Sequence, residues 1–253
     1  MALCKNENCC WLINLPGVWL TGAIAPTIET NEPCRTMVNL SSEKPLSSQP
    51  ALAEKRVSLR VSWDGYEAIL EALGGDRSAQ LTYYEGTLEI MTPLEAHENS
   101  SDLIGDFIKI LVEETNLTIK SMGSTTLKRL GLQAGAEPDR GFYIANEPKV
   151  RGKTVDLNTD PPPDLVVEVD ITHTDIDKNA LYAELGIPEF WRYDGKTLTI
   201  YQLQNGQYQE VPSSPTFSWV PKRVFYEFLQ NCAQQGETQA KRSLRQWIRE
   251  NLI

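Results

Sequence analysis

Residues 164–171, Asp-Leu-Val-Val-Glu-Val-Asp-Ile, read as a β-strand with an unusual distribution of charge. Side chains alternate across a strand. Leu165, Val167, Val169 and Ile171 therefore make one apolar face, while Asp164, Glu168 and Asp170 share the other with Val166. Burying an unpaired carboxylate costs several kcal/mol, and a like charge two residues away adds to that. Compensation must come from a divalent metal, a lysine or water. The plainer alternative is a strand at a sheet edge with solvated acids, but the apolar content of this strand argues against it.

Upstream, Glu137-Pro138-Asp139 precedes a second apolar strand at 142–144. Two carboxylates from neighbouring strands can share one hard cation such as Mg²⁺, with waters completing its octahedron. Such a cation acidifies water and offsets charge in phosphoryl chemistry. The simpler alternative for these residues is a Pro-Asp turn. Lys178 falls in the first turn of the helix after the acidic strand, where the helix dipole disfavours a cation. That misfit points to a role near the acids, the alternative being a solvated surface lysine. His97 stands seven residues before Ile104, on nearly the same apolar face of a long helix. It is directed toward the sheet, where it can serve the site or act as a hydrogen-bonded core residue. Glu98 falls on the polar side.

Several elements must position these groups. Ser62 caps a helix that Gly74-Gly75 ends. A hairpin follows, with strands at 81–84 and 87–91 around Glu85-Gly86. After Pro93, Leu103, Ile104, Phe107, Ile108, Leu111 and Val112 recur at helical spacing. Strands are expected at 118–122, 125–130 and 141–145. Thr174 through Asp177 matches a capping box and opens a helix ending at Gly186. Strands at 189–194, 197–203 and 207–211 form a meander, with turns at Asp194-Gly195 and Asn205-Gly206. Two helices, at 221–234 and 238–251, close the chain. This order predicts an α/β domain with one mixed sheet flanked by helices.

The chain has 253 residues and a net charge of −10, with a pI near 4.8. That balance disfavours nonspecific nucleic-acid binding, which needs many cations to displace counterions from phosphates. Charge can still be local. Lys149, Arg151 and Lys153 make one basic loop, and Lys241, Arg242, Arg245 and Arg249 a second cluster. Four of the five cysteines lie in the first 34 residues. Their spacing fits neither a zinc site nor a disulfide framework, so an intracellular, cytoplasmic chain is expected. The apolar run 11–28 lacks a positive leading segment, is broken by Pro16, Gly17 and Gly22, and is short for a membrane span. No membrane partner is expected. Residues 1–55 read as an N-terminal extension, with Met37 an alternative start. Residues 56–236 read as the folded domain, entered near Val57, and 237–253 as a basic amphipathic helix.

The ordered set of motifs is specific. It comprises Tyr84-Glu-Gly-Thr-Leu-Glu-Ile-Met-Thr-Pro93 with His97 nearby, Gly123-Ser-Thr-Thr-Leu-Lys-Arg129, Glu137-Pro-Asp139, Pro162-Pro-Asp-Leu-Val-Val-Glu-Val-Asp-Ile171 and Tyr182-Ala-Glu-Leu-Gly-Ile-Pro-Glu-Phe-Trp-Arg-Tyr-Asp194. It resembles the Uma-two family, whose members are described as restriction endonucleases, over residues 57–215. The resemblance implies a PD-(D/E)XK restriction-endonuclease-like fold and Mg²⁺-dependent (or Mn²⁺-dependent) hydrolysis of DNA. Asp139 matches the aspartate of "PD" and Glu168 the acid of "(D/E)XK". The lysine expected two residues later is Asp170 here. Lys178 could supply the amine instead, and Asp170 could be an extra ligand.

The expected catalytic set is thus Asp139, Glu168, Lys178 and His97. Asp139, Glu168, the carbonyl of Val169 and Asp170 are the expected metal ligands. Lys149, Arg151 and Lys153 would meet the nucleic acid, joined by Arg242, Arg245 and Arg249. A homodimer would suit cutting of both strands. The alternative is an inactive nuclease-fold module that binds DNA or protein. The signatures GxSxG, HExxH, the P-loop and the dinucleotide glycine motif do not occur, which counts against a hydrolase of another class.

Overall fold

The computed structural model of the protein describes residues 53–252, apart from positions 76, 124 and 130. The expectations for residues 1–52, including the apolar run and the start at Met37, lie outside the described residues. The first element among the described residues is a strand, β1 (Glu54–Arg60), which begins ahead of Val57. The polar composition of β1 hid it from the periodicity, because this strand lies at a sheet edge where most of its side chains meet water.

Next come α1 (Trp63–Leu73), the hairpin β2 (Gln80–Tyr84) and β3 (Thr87–Pro93), and the long helix α2 (Glu95–Glu114). Ser62 caps α1 by accepting the Gly65 N–H, at 3.1 Å. Short strands follow: β4 (Lys120–Met122), β5 (Leu127–Lys128), β6 (Ala134–Ala136) and β7 (Arg140–Tyr143). A single helical turn, α3 (Glu147–Val150), leads to β8 (Leu165–Val169) and then to α4 (Lys178–Glu184). The meander β9 (Glu189–Tyr193), β10 (Leu198–Gln204) and β11 (Gln207–Val211) precedes α5 (Lys222–Gln235) and α6 (Glu237–Asn251). The tight turns have the expected chemistry. Glu85 and Gly86 (φ 48° and 78°), and Asn205 and Gly206 (51° and 81°), take the left-handed backbone that two-residue hairpin loops require.

The strands divide into two sheets where the sequence predicts one. The central sheet has the order β11-β10-β9-β8-β7-β4, and β8 with β9 is its one parallel pair. The second, in the order β1-β3-β2-β6-β5, is antiparallel throughout. The hairpin pattern gives β2 and β3 their mutual pairing but not their outer neighbours, and those place it in a separate sheet.

Each face of the central sheet has its own core. Leu165, Val167 and Val169 pack with Ile104, Phe107 and Leu111 of α2, Phe225 and Phe228 of α5, and Leu244 and Ile248 of α6. On the other face Val166 and Phe190 pack with Leu181 and Tyr182 of α4, and with Tyr84, Leu127, Ala134 and Ala136 of the second sheet. The acidic face of β8 is therefore covered by α4 and the second sheet rather than by water. Phe107 joins sheet and helices, with ring contacts to Trp191, Phe225 and Phe228 at 5.4–6.5 Å. Phe107→Ala should cost about 3–5 kcal/mol of stability, read as a lower midpoint in urea unfolding.

Candidate active site

The register of β7 on β8 sets the carboxylates against each other. Arg140 pairs with Val167 in an antiparallel ladder, so one step further out Asp139 stands opposite Glu168. Cross-strand partners project from the same face. Asp139 Oδ2 accepts the Val169 N–H at 2.7 Å, and both carboxylates are buried. In the parallel ladder with β9, Arg192 lies beside Glu168.

Lys178 comes from the first position of α4. The helix begins there because Asp177 caps it, accepting the Ala180 N–H at 3.0 Å. Thr174, expected to open the helix, instead donates its hydroxyl to Glu89 at 2.9 Å and accepts the Ile176 N–H. The Lys178 Nζ lies 2.8 Å from Glu168 Oε2 and 2.7 Å from Asp170 Oδ1, with 2% of the side chain exposed. One turn later the Tyr182 hydroxyl donates to Glu168 Oε1. The amine thus lies between Glu168 and Asp170. Asp170, expected as a further ligand, has both oxygens occupied: Oδ1 by Lys178 and by Arg56 at 2.8 Å, Oδ2 by Arg192 at 3.0 Å. It anchors three cations.

Strand β1 supplies two groups that sequence reasoning missed. Arg56 bridges Glu54 (2.9 Å), Glu89 (2.6 Å) and Asp170. Glu54 Oε1 also accepts the N–H and hydroxyl of Thr172, at 2.8 and 2.6 Å. The signal available was a Glu-x-Arg spacing that puts both residues on one strand face. His97, in the first turn of α2, is buried as its helical phase predicts. Its Nε2 lies 3.3 Å from Asp139 Oδ2 and 3.5 Å from Glu54 Oε2, without hydrogen-bond alignment to either. Glu98 is exposed.

Burial drives the electrostatics. It pushes the Glu168 carboxyl up to about 7, aided by the charges of Asp139 and Asp170 and opposed by Lys178. Burial also works against Asp139, but His97, Lys178 and the Val169 N–H outweigh it and hold that carboxyl below its ordinary range. Asp170 is held down likewise by Lys178, Arg56 and Arg192. Desolvation disfavours a charged Lys178, yet Asp170 and Glu168 overcome it and raise its pKa, so the amine stays protonated.

Do these residues suit a divalent cation? Among the described residues, no three His, Cys, Asp or Glu side chains form a ready-made cage. Mg²⁺ does not require one, since it keeps several waters and uses one or two carboxylates. The decisive observation is that Asp139 Oδ1, Glu54 Oε2 and both His97 nitrogens are buried without a hydrogen-bond partner among the described residues. Such oxygens are costly unless something cationic meets them. Net charge does not decide the question: Glu54, Glu89, Asp139, Glu168 and Asp170 face Arg56, Lys178 and Arg192, with His97 a further cation when protonated and the Glu168 carboxyl pushed up to about 7. The residues fit a divalent ion.

Other expected groups lie elsewhere. Glu137 points away, accepting the Leu81 N–H at 2.9 Å and the Thr126 hydroxyl at 2.5 Å, with Arg77 beside it. Lys149, Arg151 and Lys153 follow the end of β7 opposite to Asp139. There they bond Asn146, Glu147 and Asp160 respectively. In α6, Lys241, Arg245 and Arg249 pair with Asp106, Glu113 and Glu114 of α2.

The chain was compared with known proteins. The sequence model of the Uma2 family, described as "Putative restriction endonuclease", matches residues 63–230. No curated protein matches. Among solved structures, the chain is similar to the crystal structure of "a putative nuclease belonging to DUF820 from Anabaena variabilis ATCC 29413". The TM-score is 0.45 at 17% identity, over 62% of this chain and 91% of that one. Among the described residues, no helix is long and apolar enough to cross a membrane.

Two outcomes follow from the ion cluster. Lys178→Met leaves buried Glu168 without its cation and should cost about 3–5 kcal/mol in urea unfolding. For His97, burial opposes protonation, but Asp139, Glu54 and Glu168 raise the pKa above 6.5. Its stabilising charge is fully present below pH 6.5, the unfolded value, and is lost as pH rises through the higher folded value. In buffer with a chelator, His97→Gln should flatten the fall in stability on that alkaline side.

Proposed function

The chain belongs to the Uma2 family of restriction-endonuclease-like proteins, and on that footing we propose that it is a metal-dependent endonuclease hydrolysing phosphodiester bonds in DNA. The observation that carries this reading is the protonated Lys178 amine. It is held 2.8 Å from Glu168, on the strand face that Asp139 opposes across the ladder. Mg²⁺ or Mn²⁺ at these carboxylates would supply a Lewis acid for the phosphoryl oxygens and a means of acidifying water.

The protein's own groups do the rest. Asp139, fixed by the Val169 N–H and kept ionised, offers a free oxygen to the cation. Glu168 is the second expected ligand. Its oxygens already accept from Lys178 and Tyr182, which hold its orientation while leaving lone pairs. Lys178 acts as a charge donor rather than a base, because its carboxylate neighbours keep the proton on Nζ. It stabilises negative charge developing on a phosphoryl oxygen. Asp170, Arg56 and Arg192 position that amine. Lys149, Arg151 and Lys153, exposed past the far end of β7, are the backbone contacts of this reading. The α6 cations contribute less, since α2 acids already neutralise them. Cutting of both strands would bring two copies together around a two-fold axis.

One observation favours a second reading, a nuclease-fold module that binds DNA or protein without cutting. Asp139, Glu168, Lys178 and His97 are all buried, and Arg192, at 34% exposure, is the most open charged group of the cluster. Incubation of the purified protein with plasmid DNA and Mg²⁺ or Mn²⁺ separates the two. The endonuclease should nick or linearise the plasmid, and Glu168→Ala and Lys178→Ala should each slow this by about 10²-fold or more. Retardation of DNA by a wild type that cuts nothing would establish the second reading. Equal cutting by Glu168→Ala would remove this site from the reaction.

A further inference from the structure

We infer that Glu54, on a strand outside the family-matched residues 63–230, is a ligand of the same divalent cation as Asp139. This rests on reading the carboxylate cluster as a divalent-cation site.

Glu54 and Asp139 are built alike. Glu54 Oε1 is pinned by the Thr172 N–H and hydroxyl and by Arg56, and Asp139 Oδ2 by the Val169 N–H. In each residue the second oxygen is buried and has no hydrogen-bond partner among the described residues. Both side chains are enclosed, at 0% and 1% exposure. They converge on His97, whose Nε2 lies 3.5 Å from Glu54 Oε2 and 3.3 Å from Asp139 Oδ2. Glu168 differs, because Lys178 and Tyr182 occupy both of its oxygens. The oxygens in this cluster with no hydrogen bond from the described residues are therefore those of Asp139 and Glu54, while Glu168 has its remaining lone pairs to offer.

A carboxylate serving only as counter-ion to Arg56 would have its needs met by that guanidinium and by Thr172. Oε2 would then gain most by facing water. Here it faces the buried His97 imidazole instead, which Asp139 Oδ2 also flanks. Arg56 also has Glu89 and Asp170 as partners, so it does not depend on Glu54 alone. Hard divalent ions take carboxylate oxygens in this way and fill their remaining positions with water. The backbone bonds to Thr172 and Val169 are the kind of outer support that orients such ligands.

The test is a calorimetric titration of the full chain with Mn²⁺ in the absence of DNA, together with the Mn²⁺-induced rise in Tm. Wild type should bind. Glu54→Gln should bind about tenfold more weakly or worse, with a smaller rise in Tm. Glu137→Gln, which alters a buried acid pointing away from the cluster, should bind as tightly as wild type. If Glu54→Gln does not fold, Glu54→Asp replaces it. The shorter side chain withdraws the free oxygen and should weaken binding while keeping the charge. Unchanged affinity in the Glu54 variant, with binding lost in Asp139→Asn, would overturn the role of Glu54 and leave the metal site standing. Equal weakening by Glu137→Gln and Glu54→Gln would reduce Glu54 to a structural partner. No binding by wild type at millimolar Mn²⁺ would overturn both this inference and the metal reading beneath it.

Discussion

Lys178 buried between Glu168 and Asp170 is the interaction on which the rest of the site depends. An ammonium group removed from water loses solvation that one carboxylate does not fully replace. Two carboxylates on the same strand face, within 2.8 Å of Nζ, do replace it and keep the proton in place. Each element around the cluster then has a constraint to meet. The helix α4 must start at Lys178, which Asp177 arranges by capping one residue earlier. The ladder between β7 and β8 must keep a register that sets Asp139 against Glu168.

The second sheet follows from the same problem of charge. An acidic strand face in the middle of a domain needs a cover that brings cations with it. Hairpin β2–β3 and edge strand β1 provide that cover. Arg56 reaches across from β1 to Asp170, and Glu89 of β3 receives Arg56 and Thr174. The cover also adds acids, Glu54 and Glu89. Asp139 and Glu54 are left with buried oxygens that have no hydrogen-bond partner among the described residues. Native proteins rarely leave buried oxygens in that state without a functional reason. The roles differ: Asp170 gathers cations, Glu168 holds the amine, and Asp139 and Glu54 each keep one oxygen without a hydrogen bond from the described residues.

The placement of the basic groups separates two kinds of surface charge. In α6, arginines that look available for phosphates tie the helix to α2, adding ion pairs to the apolar contact made by Leu244 and Ile248. Lys149, Arg151 and Lys153 lie beyond the far end of β7 and are bound to nearby side chains. Membership of a nuclease family therefore coexists here with an enclosed cluster of acids as the candidate site.

The sequence alone determined what local periodicity can encode. Alternation in 164–171 put Glu168 and Asp170 on one face, and helical phase put His97 on the buried side of α2. The Glu85-Gly86 and Asn205-Gly206 turns were legible because few residue pairs tolerate left-handed backbone. Cross-strand register and the pairing of distant segments are not local properties, and only the tertiary structure decided them. It placed Asp139 opposite Glu168, 29 positions apart in the chain, and brought Lys178 back to the acids. It also turned Asp170 into an anchor for cations. Glu54 and Arg56 were invisible for the same reason: a polar edge strand resembles a linker until its partners, 33 to 118 residues away, are in place.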